Sequence, residues 1–160
     1  GLSLALKHNA IFLTPIYLIW AWQDSQEKPF RDAVIAALAI GSIPLLTSLP
    51  LLIPSPVGFF KSLFISLTRY PETGLGVSSL DAMMGWVGIP AKIPMLLMIL
   101  IAYGMAWRGR LKPFTAGLLI MLIFVNFHSV LFRHYMVWVM PLLPLASVEA
   151  LREKRKGETG

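Results

Sequence analysis

The sequence predicts an all-α, polytopic membrane protein: a transmembrane helix bundle of about five spans, with a helical stub and short interfacial helices in an outer loop. Composition and one long apolar run predict it. Hydrophobic residues make up 56% of the chain and charged residues 14%, against about 25% charged in an ordinary soluble domain. A mean hydropathy of +0.70 leaves too little polar surface to coat a water-soluble globule. The run lies between Phe114 and Val148, where Arg133 is the one full charge in 35 residues. A single span needs roughly 20 apolar residues, so this stretch suits two spans folded back on each other. An arginine at the centre of a span would cost roughly 2.5–3.5 kcal/mol even on the lenient insertion scale. A hairpin turn at 126–133 avoids that cost and brings His128, Arg133 and His134 out at one membrane face.

The elements follow in order, as one transmembrane domain over residues 1–160. Gly1–Leu6 reads as the end of an apolar helix and lacks the pattern of a cleaved leader. The sequence is therefore expected to be the C-terminal fragment of a longer protein. Lys7-His8-Asn9 forms a turn into a first span at about 9–22, and a second follows at 32–53. Prolines 44, 50, 54 and 56 suggest that this second span kinks or breaks, which membranes tolerate where protein covers the freed carbonyls. An outer loop occupies 54–89. Within it, apolar residues at 59, 60, 63, 64 and 67 suit a short helix lying in the interface. Pro71-Glu72-Thr73-Gly74 reads as a turn. Residues 78–86 suit a second short helix, with Ser78 or Ser79 as N-cap. Three further spans fall at 90–107, 113–127 and 131–151, and the tail is 152–160.

Charge orients the spans. Lys28, Arg31, Arg108, Arg110, Lys112, Arg152, Lys154, Arg155 and Lys156 share one side if five spans alternate, which is nine of the fourteen basic residues. The positive-inside rule puts that side, with the C-terminus, in the cytoplasm. Trp20, Trp22 and Trp107 fall at the same ends, where amphipathic rings prefer to lie. The expected partner is thus the lipid bilayer, and the net charge of +6 is not read as a nucleic-acid footprint. The absence of cysteine excludes disulfides and thiolate metal sites.

Three cationic clusters meet the outer face by this topology: Lys7 with His8, Lys61 with Arg69, and Arg133-His134-Tyr135. An anionic ligand such as a lipid-linked phosphate would explain cations held there, since arginine binds phosphate bidentately and lysine as a point charge. Solvated loop charges or contacts to lipid head groups are the alternative, preferred for Lys61 and Lys92. The histidines lack acidic partners at helical spacing, so no zinc site is expected. No cofactor is evident, and a divalent metal is left open for the full-length parent. Asp81 and Glu72 are the outer acids. Asp81 is a candidate for the catalytic acid or base, with helix capping the preferred reading.

Residues 1–15, GLSLALKHNAIFLTP, resemble the helix–Lys–helix hairpin of multi-spanning glycosyltransferases of the GT-C superfamily. Phe59-Phe60-Lys61-Ser62-Leu63, then Thr68-Arg69-Tyr70-Pro71 and Gly74-Leu75-Gly76, resemble the external loop of the same enzymes. Residues 132–144, FRHYMVWVMPLLP, resemble the start of a late span in mannosyltransferase-like members. His8 departs from the pattern, where glutamine is common. The resemblance implies transfer of a sugar such as mannose from a polyprenyl-phosphate donor at the outer face. It implies that Lys7, Arg69 and Arg133 help to hold the donor phosphate, with His134 and Tyr135 lining the cavity. The catalytic acid would then lie in an earlier external loop, and the fragment alone would be inactive. A transporter or flippase fragment and a non-catalytic membrane scaffold are the rival readings. A transporter needs polar groups along a midplane route, and few lie there: Ser42 and Thr47 in the second span and little in the third.

Overall fold

The computed structural model describes residues 8–68, 80–85, 89–127, 137 and 139–158, with the backbone alone for 8–10, 63–68, 81–82, 89 and 156–158. The regular elements among the described residues are all helices, joined by turns, with no strand. They divide into two compact units, Gly1–Arg69 and Tyr70–Gly160.

In the first unit a 3-10 turn over His8–Leu13 leads into α1 (Thr14–Asp24). Helix α2 (Pro29–Leu52) packs back against α1. Both helices carry proline in their first turn, where a missing N–H removes no helical bond. Ser25 organises the connection. Its Oγ donates to Asp32 Oδ2 at 2.7 Å and accepts the Lys28 N–H at 3.3 Å. Arg31 Nε lies 3.2 Å from the other oxygen of Asp32.

Helix α2 runs on through Pro44 and Pro50, and none of its residues is buried. Two of its hydroxyls turn inward onto its own backbone: Ser42 Oγ donates to the Ala39 carbonyl at 3.2 Å, and Thr47 Oγ1 to the Ile43 carbonyl at 2.9 Å. Polar groups satisfied in this way can face lipid at little cost. Helix α3 (Pro56–Thr68) falls where the amphipathic loop helix was expected. It leaves Val57, Phe60 and Lys61 exposed.

In the second unit α4 (Leu80–Met83) is a single turn within the helix expected at 78–86, of which Ser78, Ser79 and Trp86 lie outside the described residues. Gly85 follows it in the left-handed region at φ +66°. A 3-10 turn over Ile89–Lys92 then opens α5 (Ile93–Trp107). Helices α6 (Pro113–Asn126) and α7 (Leu142–Glu158) complete the unit.

The α5–α6 turn is written in the sequence Trp107-Arg108-Gly109-Arg110. Gly109 adopts φ +69°, open to glycine without the steric penalty of a Cβ. The Gly109 N–H then reaches the Ala106 carbonyl and the Arg110 N–H the Met105 carbonyl, each at 2.9 Å. That pair of bonds is a Schellman motif. Pro113 starts the next helix.

Packing follows the helical period. Met95, Ile99, Ala102 and Ala106 form one buried stripe on α5. Ala116, Gly117, Ile120, Met121, Phe124 and Val125 are buried on α6, which packs against both α5 and α7. Alanine and glycine at the contacts let helix backbones approach closely, as in lipid-embedded bundles.

Two helical stretches, Pro29–Leu52 and Pro90–Trp107, are long and apolar enough to cross a membrane. Helix α6 is apolar but shorter. Its 14 residues rise about 21 Å against about 30 Å of hydrocarbon. The expected span at 131–151 is helical in its described part from Leu142, and the helix continues through the basic tail to Glu158.

Candidate functional site

The residues expected to hold an anionic donor fall mostly beyond what is described. Lys7, Arg69, Arg133, His134 and Tyr135 lie outside the described residues, as does His128. His8 begins the 3-10 turn that enters α1, and Asp81 is the second residue of α4, each known by its backbone. The geometry that bears on the site is therefore that of the helices that deliver these segments, above all α6.

Helix α6 has no cap of its own. Lys112 stands at its N-cap position and makes no side-chain cap bond, because a lysine has no acceptor to offer the first N–H groups. The acceptor comes from α7. Glu149 Oε2 accepts from the Thr115 N–H and from Thr115 Oγ1, each at 2.8 Å, and Oε1 accepts from the Phe114 N–H at 3.3 Å. A carboxylate there meets both the unpaired N–H groups and the positive end of the helix dipole. One turn further along α7, Glu153 pairs with Lys112 at 3.1 Å. As α7 numbering rises from 149 to 153, its partners fall from 115 to 112, so α6 and α7 are antiparallel.

The other end of α6 is closed by a cation. Lys92 Nζ donates to the Phe127 carbonyl at 2.6 Å and is partly buried. A positive charge at a helix C-terminus is the favourable sign. Sequence reasoning read Lys92 as a solvated or head-group charge, whereas the structure ties it into the protein. Asn126 Nδ2 adds a bond to the Leu122 carbonyl at 2.8 Å.

The second unit thus has two unlike ends. One holds Arg108, Arg110 and Lys112 beside Arg152, Lys154 and Arg155, all exposed. The other holds Lys92 and Phe127, after which the chain enters the stretch containing Arg133-His134-Tyr135. Sequence reasoning missed Glu149 and Glu153 as organising residues. A signal was available, since a helix opening Lys112-Pro113-Phe114 without Ser, Thr, Asp or Asn at its cap must find an acceptor elsewhere. Among the described residues no three His, Asp or Glu side chains stand together as metal ligands.

No protein-family model, no curated protein and no solved structure matches the chain.

Proposed function

We propose that the chain is an integral-membrane helical region of a glycosyltransferase, moving a sugar from a polyprenyl-phosphate donor at the extracytoplasmic face, with its C-terminus in the cytoplasm. One observation carries the reading furthest. Helix α6 directs its C-terminal end, where the chain enters the Arg133 stretch, away from the basic turn at 108–112. If the basic turn faces the cytoplasm, Arg133 belongs to the outer side. A guanidinium there suits the negative charge that develops on a departing phosphate. Lys7, Arg69, His134 and Tyr135 join it by the motif resemblance. The bilayer placement is supported by α2, 24 residues long and without one buried side chain.

Transport fits less well. A transport route needs polar groups offered to a substrate, and Ser42 and Thr47 donate to carbonyls of their own helix. A scaffold role draws support from the same exposed surface of α2, which a partner helix could cover.

The test is Arg133→Ala in the full-length parent, reconstituted with a polyprenyl-phosphate sugar. Transfer is expected to fall about 100-fold. An unchanged rate would remove Arg133 from the chemistry, and no transfer by the unaltered parent would leave the scaffold reading standing.

A further inference from the structure

We infer that the basic end of the second unit is a docking surface for anionic phospholipid, gathering acidic head groups of the leaflet that faces it. This rests on the bilayer placement above and not on sugar transfer.

Three observations meet at that end. First, the Lys112–Glu153 pair and the Glu149 cap on α6 fix the C-terminal half of α7 beside the α5–α6 turn, although the two are remote in sequence. Six exposed basic side chains are collected by this contact: Arg108, Arg110, Lys112, Arg152, Lys154 and Arg155. The acids on that part of α7 are Glu149, Glu153 and Glu158, so six basic side chains stand against three acids. Glu149 is engaged on the α6 backbone and Glu153 on Lys112. Second, the cluster directly follows the end of α5, one of the two helical stretches long enough to cross a bilayer. Guanidinium groups at that depth reach phosphate while their stems stay against apolar surface. Clusters of four to eight basic residues beside a span attract anionic lipid by about 1 kcal/mol per charge, or roughly fivefold in partitioning. Third, the turn of the first unit lacks this character. There Lys28 and Arg31 stand among Asp24, Glu27 and Asp32, and Arg31 pairs with Asp32. Selection of acidic lipid should therefore belong to the second unit.

Trp107 gives a direct readout, since it is the last residue of α5, adjoins Arg108 and is 56% exposed. The full chain is placed in vesicles containing brominated phosphatidylglycerol or brominated phosphatidylcholine, and the quenching lost in Trp107→Phe is assigned to this ring. The phosphatidylglycerol is expected to quench several-fold more effectively at equal mole fraction. Arg108→Gln, Arg110→Gln and Arg152→Gln together should abolish the preference, while Lys28→Gln with Arg31→Gln should leave it unchanged. The unmodified chain provides a second measurement should the triple variant fail to fold. Raising salt from about 0.1 M to about 1 M shortens the screening length from about 10 Å to about 3 Å, and should bring the two lipids together. Equal quenching by both lipids at low salt would overturn the inference while leaving the bilayer placement intact. Quenching by neither would overturn the placement as well. A preference that survives both the triple variant and high salt would also defeat it.

Discussion

The two units are both built on helical hairpins, yet among the described residues one has a core and the other has almost none. In the second unit α6 is covered by two neighbours, and Ala116, Ile120 and Val125 have no exposed surface. In the first, Ile16 is buried on α1 and nothing is buried on α2, where Leu38 and Leu46 are 67% and 63% exposed. Apolar content does not explain the difference, because both hairpins are rich in leucine and isoleucine. Small residues do not explain it either, since α2 carries Ala33, Ala36, Ala37, Ala39 and Gly41. The number of neighbours does. Helix α6 is covered by α5 and α7 and tied at its two ends through Lys92 and Glu149, whereas α2 packs chiefly on α1 and leaves its remaining apolar surface for lipid or another helix.

Breaking the core should show this most clearly. Ile120→Ala is expected to destabilise the second unit by about 2–5 kcal/mol through lost contacts and a residual cavity, measured by unfolding in mixed micelles. Glu149→Ala comes next, at about 1.5–3 kcal/mol, since it strips a charged acceptor from two backbone N–H groups and the Thr115 hydroxyl. The same titration should resolve it. Ser25→Ala, which cuts the corresponding link in the exposed turn of the first unit, should shift the midpoint much less. Gly109→Ala forces a Cβ into the left-handed region and should cost about 1–2 kcal/mol, with the loss confined to the α5–α6 hairpin in hydrogen exchange. Leu38→Ala on α2 should stay within about 0.5 kcal/mol. A loss there as large as that of Ile120→Ala would show that α2 is packed against something after all, and the contrast between the units would fail.

Much of the helical layout was legible from local pattern. The limits of α5 and α6 follow from Ile93-Pro94 and from the Arg-Gly-Arg turn before Pro113, signals that act over a few residues. The end of α7 was not, because hydropathy falls at Arg152 while helix propensity does not. Glu, Lys and Arg are good helix formers, so the apolar run marks the edge of a greasy layer rather than the end of a helix. Glu149 was hidden for a different reason. Its partners lie 34 and 35 residues away, and no periodicity links an acid in one helix to bare N–H groups in another. Of the expected donor site, the sequence placed Lys7, Arg69 and Arg133 by topology alone, and the described helices stop beside or short of them: the 3-10 turn begins at His8, α3 ends at Thr68 and α6 ends at Asn126.

The cap on α6 also has a consequence for synthesis. The ribosome makes the opening turn of α6 before it makes the carboxylate that completes it. Until α7 arrives, that turn has bare donors and a helix too short to bridge the hydrocarbon unaided. A nascent chain halted before Glu149 would hold the hairpin in a provisional state, and its settling into lipid would wait on α7.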